Sequence, residues 1–264
     1  MNSSRLKQVV VPIGAFGLAA VGGTFLYDLI GRANMKKLIK ETVFWDNEWD
    51  RYTTVPPQRV EEIKDWFIPP KIDIVNERKK FDIANNVNYR EIVLVRDGQN
   101  LNDAKLTGKR LAAECSNVRI IFHSPANKEI ATVVSQQFNP TVPTHECDLL
   151  NEGIPATPDP PCGVEYNSKD AHRIESGFRT FFARPMGTQH NENIHTDIII
   201  GHGNSIRFFI CRAMQIDPQF WLRLKIHNFG ISRVGIDMDG FVSVSQIGDI
   251  GHLYTSTQTN EASL

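Results

Sequence analysis

The sequence has no C-x-x-C pair, no surplus of basic charge, no internal repeat and no low-complexity tract. Each absence removes a class of protein. Cys115, Cys147, Cys162 and Cys211 are scattered through 264 residues, so neither a zinc site nor a disulfide framework is expected, and the thiols are read as reduced. A formal net charge of −1 lacks the cationic excess that a phosphate backbone requires of its partner, which argues against nucleic acid. The eight histidines form no recognisable chelating pair, so no metal and no other cofactor is expected. Charge is also missing from Val9 to Tyr27, VVVPIGAFGLAAVGGTFLY.

As a helix, that uncharged run approaches the roughly 20 residues needed to cross a hydrocarbon core of about 30 Å, and it predicts an N-terminal transmembrane anchor within residues 1–31. A cleaved signal is the competing reading, but its apolar core spans only about 7 to 15 residues. Arg5 and Lys7 precede the run, and Arg32, Lys36 and Lys37 follow it, so flanking charge does not orient it. Ala15, Ala19 and Gly23 put small side chains on one helix face, where a second helix can approach, although such residues are common in any span.

Residues 32–85 are charged and interrupted by Pro56, Pro57, Pro69 and Pro70, which predicts a linker with few core positions. Within it lies WDNEWDR, Trp45 to Arg51. If this segment is helical, Trp45 and Trp49 share a face, with Asp46 and Asp50 at its rim. Two destinations fit such a face: a groove on a partner, or the chain's own domain.

From residue 86 to 256, apolar strands alternate with helical runs. The strands are EIVLV at Glu91 to Val95, NVRIIFHS at Asn117 to Ser124, and TDIIIG at Thr196 to Gly201. A hairpin joins RVGIDM to FVSVSQI at Asp239-Gly240. This pattern predicts an α/β domain with a sheet covered by helices on both faces, followed by a tail over 257–264. Ligands in such sheets collect at carboxyl ends of strands, and three polar clusters fall there: Arg96-Asp97-Gly98-Gln99, His123-Ser124 and His202-Gly203-Asn204. His202 precedes a helix start, where free N–H groups favour an anion. Arg96 can fork two N–H groups onto phosphate oxygens.

These clusters resemble the histidine phosphatase superfamily, in which the first strand runs into Arg-His-Gly and a later strand into a second His. The resemblance tightens toward the mitochondrial phosphoglycerate mutase family member 5 branch. It is carried by WDNEWDR, LLNEGIPATPDPP at Leu149 to Pro161, AHRIESGFRTFFAR at Ala171 to Arg184, GHGNSIRFFICRAMQ at Gly201 to Gln215, and WLRL with HNFGIS at Trp221 to Ser232. It implies a mostly parallel sheet sandwiched by helices, of the phosphoglycerate mutase-like (histidine phosphatase) type. It also implies a mitochondrial membrane location, outer or inner, serine/threonine phosphoprotein phosphatase activity in active relatives, and self-assembly through WDNEWD at Trp45, Asp46, Trp49 and Asp50. In that chemistry the first histidine attacks phosphorus, the motif arginine and second histidine hold phosphoryl oxygens, and a glutamate protonates the leaving oxygen. Carried over by position, Arg96 is a phosphate clamp, Glu152 the proton donor, His202 the second phosphate contact, and Asp97 stands where the nucleophile belongs.

Three departures from the family pattern bear on activity. Asp97 replaces the attacking histidine, and its charge opposes a phosphate dianion by roughly a few kcal/mol per charge at about 4 Å. Lys128 stands where a second phosphate-binding arginine is expected, keeping charge but losing the fork. The stretch between Gln99 and Leu106 is shorter than in active relatives, which thins one pocket wall. These features favour a catalytically weak or inactive, oligomeric scaffold or regulator, whose partners are itself, an active relative, kinases or phosphoproteins. The alternative is a working phosphatase with an altered nucleophile. A sugar-phosphate mutase fits the anchor and linker poorly.

Overall fold

Ile92, Val93, Leu94 and Val95 are all inaccessible to solvent, which a strand achieves only when helices cover both its faces. In the computed structural model, which describes residues 49–50, 70–187 and 193–254, this run lies inside strand β1 (Tyr89–Arg96). Alternate side chains serve different layers. Val93 and Val95 join Ile121, Ile198 and Ile200 beneath α2 (Leu101–Glu114) and α3 (Lys128–Ser135), whose Ala104, Leu111, Ile130 and Val134 complete that core. The opposite face carries an aromatic layer, where Phe122 meets Phe181 with ring centroids 4.9 Å apart and Phe178 stacks on Phe182 at 4.7 Å.

The remaining elements are α1 (Ile72–Ala84), β2 (Val118–His123), β3 (Thr144–Glu146), α4 (Ser168–Phe181), β4 (Ile194–Gly201), α5 (Gly203–Ala213), β5 (Ile231–Asp237), β6 (Val242–Asp249) and the short α6 (Gly251–Tyr254). The sheet runs β3-β2-β4-β1-β5-β6. Strands β3, β2, β4 and β1 are parallel, whereas β5 and β6 are antiparallel to their neighbours. The sheet is mostly parallel, as expected, and is mixed only because β5, the first strand of the hairpin at Asp239-Gly240, runs against the other five. Gly240 turns it with φ +82°, a left-handed conformation that suits glycine.

Two boundaries differ from expectation. The segment that reads as a linker contains α1, which buries Ile74 and Val75 and is integral to the domain. Its inward face also carries Arg78 and Asp82. Arg78 donates to the carbonyls of Phe181 (2.6 Å) and Thr180 at the end of α4, and Arg90 donates to Asp82 at 2.6 Å. With two of four buried positions charged, its apolar periodicity is too faint to distinguish it from a polar linker. Similarly, α2 begins at Leu101 within a stretch that reads as a turn, because Asn100 caps it by accepting from the N–H of Asn102 at 2.9 Å.

Trp49 and Asp50 lie against the same chain. The indole N–H of Trp49 donates to the Gly240 carbonyl at 2.9 Å, and its ring sits 5.9 Å from that of Phe178. The Asp50 carboxylate accepts from the Arg184 backbone N–H at 2.8 Å and from its guanidinium. Trp45, Asp46, the run from Val9 to Tyr27 and the tail over 257–264 lie outside the described residues. Among the described residues no helix is long and apolar enough to cross a membrane.

Candidate active site

The parallel registers bring three strand ends together. Arg96 of β1 is level with Gly201 of β4, and His123 of β2 with Ile200 of β4. Residues following Arg96 and Gly201 are thereby neighbours, and the N–H of Asp97 donates to the Gly201 carbonyl at 2.9 Å. Arg96 itself is gripped by the segment before β5: its N–H donates to Gly230 O (3.1 Å), its carbonyl accepts from Phe229 N–H (2.8 Å), and its guanidinium donates to Ile226 O. Phe229 holds φ +57° to make this clasp. Its ring leaves no room beside Gly98, where an added Cβ would stand 2.4 Å from Cε2.

At the centre, Nδ1 of His202 lies 2.6 Å from Oδ2 of Asp97. Hydrogen bonding to Asp97 raises the His202 pKa; burial opposes this, and the charges of Asp97 and Glu152 add to the rise. On the other side of the ring, Nε2 lies 3.3 Å from Ser124 Oγ. The amide of Asn127, which is buried, donates to Asp97 Oδ2 at 3.4 Å.

A chain of Asp, His and Ser resembles a hydrolytic relay, but the exposures run the wrong way for one. The Asp97 and His202 side chains are 22% and 14% exposed, while Ser124 is fully buried. A nucleophilic serine needs the reverse order, with the carboxylate deepest. Ser124 is thus the buried end that orients the imidazole, and Asp97 is the more exposed end.

Glu152 is exposed, and its backbone is fixed by Arg173, which donates to the carbonyls of Asn151 (2.6 Å) and Glu152 (2.7 Å). Asn204 donates to the Gly153 carbonyl at 3.3 Å, linking this loop to the start of α5. The structure brings Arg96, Asp97 and His202 together at the strand ends, and Glu152 lies near enough for its charge to act on His202. An opening of about 260 Å3 is lined by Arg96, Asp97, Gly98, Gln99 and Asn228. Lys128 heads α3 with its side chain exposed, and it is the preceding Asn127 that turns to Asp97. Asn127, Arg173 and Asn228 have no sequence signal of their own. Among the described residues no cluster of three or more His, Cys, Asp or Glu could hold a metal.

Residues 171–247 match the histidine phosphatase superfamily (branch 1). The chain is 30% identical to the mitochondrial serine/threonine-protein phosphatase Pgam5 of Drosophila mojavensis, over 86% of this chain and 84% of the relative. The mitochondrial Pgam5 of Caenorhabditis briggsae is 32% identical over 79% and 78%, and mitochondrial PGAM5 of Mus musculus 31% identical over the same shares. Among solved structures, a phosphoglycerate mutase from Plasmodium falciparum is 31% identical with a TM-score of 0.48, over 61% of this chain and 91% of that one. The chain belongs to the Pgam5 family of serine/threonine-protein phosphatases, within the histidine phosphatase superfamily.

Proposed function

We propose that this chain is a Pgam5-type protein whose phosphatase site is silenced by Asp97 and which works as an oligomeric, membrane-anchored mitochondrial scaffold or regulator. The observation that carries the reading is the 2.6 Å contact between Asp97 and His202. The family resemblance assigns that position to a histidine that attacks phosphorus and assigns His202 to the phosphoryl oxygens. Here the carboxylate takes the His202 N–H for itself, so it acts as a built-in anion in place of the phosphoryl group. A carboxylate whose lone pair is held by the imidazole N–H is a weak nucleophile, and its charge repels the incoming dianion.

The scaffold half of the reading rests on WDNEWD. The domain carries a receptor for Trp49 and Asp50, formed by Phe178, Gly240 and Arg184. The same receptor on a second copy offers the same contacts, so exchange of the motif between chains links them at little cost.

The test is turnover of an aryl phosphate and a phosphoserine peptide by the wild-type chain and by Asp97→His. Silence in the first and activity in the second is expected. Wild-type turnover abolished by Glu152→Gln or His202→Ala would instead establish a phosphatase with an altered nucleophile, the second reading, which the open cleft and the presence of Arg96 and Glu152 favour. For assembly, Trp45 and Trp49 are changed to Ala together and the mass is followed by light scattering; an undiminished mass rules out assembly through the motif.

A further inference from the structure

The turn that carries Glu152 is gripped by one side chain. The short helical turn Asp148–Leu150 buries Leu150, and its own bonds use the carbonyls of Cys147 and Asp148. The carbonyls of Leu149, Asn151 and Glu152 take their donors from outside the turn. Arg173, on α4, serves all three: Nη1 donates to Asn151 O at 2.6 Å and to Leu149 O at 3.4 Å, and Nη2 donates to Glu152 O at 2.7 Å. Asp170, three residues earlier on the same helix face, accepts from Nη2 at 3.0 Å and aims the fork.

The chain after Glu152 passes so close to this pair that a Cβ at Gly153 would stand 2.7 Å from Arg173 Nη2 and 2.8 Å from Asp170 Cβ. On its other side, Asn204 of α5 donates to the Gly153 carbonyl at 3.3 Å. The peptide groups flanking the Glu152 Cα are therefore fixed, and side-chain rotation alone is left to its carboxyl group. The charges of Glu152 and Arg173 both act on His202, in opposite directions, so the turn lies within electrostatic reach of the imidazole. A guanidinium suits this place because its two end nitrogens serve three carbonyls at once, whereas an ammonium is a single point.

We propose that Arg173 is a positioning residue, whose fork holds the Glu152 turn so that the carboxyl group is presented beside His202, where the leaving oxygen of a phosphoserine or phosphothreonine takes up its proton. The proposal rests on the reading of Glu152 as proton donor and is independent of whether Asp97 silences the site. Arg173 touches no substrate and acts through Glu152. A general acid works only within hydrogen-bond reach of the atom it protonates, so a slack turn penalises those leaving groups that need a proton and spares those that do not.

The experiment is a double-mutant cycle on the full chain in detergent, read as the His202 pKa from NMR titration of the ring C–H resonances. Glu152→Gln is made in the wild type and in Arg173→Gln. In the wild type it lowers the His202 pKa, because an anion held near the ring is removed. In Arg173→Gln the same substitution moves the pKa by about half as much or less, and the loss of the Arg173 charge, common to both members of that pair, cancels in the difference. Arg173→Lys gives an intermediate value and serves as the background if the glutamine variant fails to fold. An equal shift in every background, or no shift in the wild type, overturns the positioning role. Turnover supplies a second arm in Asp97→His. There Arg173→Gln lowers phosphoserine-peptide turnover by about tenfold or more and that of nitrophenyl phosphate, whose leaving group departs without a proton, by about twofold or less. Equal losses on both substrates mean general damage and also overturn it. Wild-type turnover, or silence of Asp97→His, bears on the silent-phosphatase reading alone, and the pKa cycle then decides the role of Arg173.

Discussion

Asp97 and His202 are joined by a 2.6 Å contact because they are the next residues after a matched pair, Arg96 and Gly201, on adjacent parallel strands. Whatever side chain stands at position 97 is delivered to His202 by the register of β1 and β4. A histidine there would present two imidazoles to one ligand; an aspartate makes the two side chains partners of each other.

This pairing sets the charge state of His202. Its pKa is raised chiefly by the hydrogen bond it donates to Asp97. A group with a raised folded pKa contributes stability that is complete below its unfolded value, about 6.5, and is lost as pH rises through the folded value. Asp97→Asn is expected to lower the His202 pKa and to remove this part of the loss on the alkaline side. Titration of the ring C–H resonances by NMR measures it, and an unmoved pKa in Asp97→Asn contradicts the assignment.

Gly98 is predicted to be intolerant of any side chain. An added Cβ would sit 2.4 Å from Cε2 of Phe229, a ring that is itself buried and held by the backbone bonds to Arg96. Gly98→Ala is expected to destabilise by about 1–3 kcal/mol, the range for overpacking. Urea unfolding checks this. Combining it with Phe229→Leu should recover part of the loss, since the two changes share one space.

The legibility of the site in the sequence follows from what each residue's neighbours are. Arg96, Asp97 and His202 stand out because each ends an apolar strand and begins a polar turn, a pattern visible within ten residues. Glu152 is accessible only through the family resemblance, since nothing local marks it. Ser124 was visible as a strand-end residue, but its role as the buried anchor of His202 depends on β2 lying beside β4, which no local pattern encodes. The same is true of Asn127. The helix α1 is hidden for a different reason: Arg78 and Asp82 bury charge against α4 and Arg90, so its inward face does not read as apolar.

Glu175 is the buried charge on which the α4–α5 contact depends. It is about 1% exposed and accepts from Arg212 and Arg179 at 2.9–3.0 Å. Burial alone would push its pKa up, but the paired guanidinium groups of Arg212 and Arg179 win and hold it below the ordinary carboxylate value. A depressed carboxylate contributes stability above its unfolded pKa and loses it as pH falls through the folded one. Glu175→Gln keeps the shape and removes the charge that both arginines share, at an expected cost of about 3 kcal/mol. Denaturant titration at pH 7 tests it, and a cost below about 1 kcal/mol would show that solvent at the arginine ends compensates.

His252 is expected to fasten α6 to α2 only while neutral. The hydroxyl of Thr107 donates to the Asp103 carbonyl at 2.7 Å, so the 2.8 Å contact to Nε2 of His252 requires the ring to donate. Nδ1 is left to accept from Arg110 at 3.2 Å. Burial, then the charge of Arg110, lowers the His252 pKa. A proton added at Nδ1 would face that guanidinium directly. With a folded pKa below the unfolded value of about 6.5, stability is lost as pH falls from there toward the folded pKa and not beyond. Asp249, which also pairs with Arg110, is held at about 2 and does not titrate in that interval. His195 shares the direction of shift, so the comparison must be between wild type and His252→Gln. The glutamine variant is expected to show a shallower decline in urea midpoint between about pH 6.5 and 5. Thr107→Val, which deletes the acceptor, is expected to cost about 1–3 kcal/mol at neutral pH. Parallel curves for wild type and His252→Gln would mean that the imidazole stays neutral across the interval or that α6 does not depend on it.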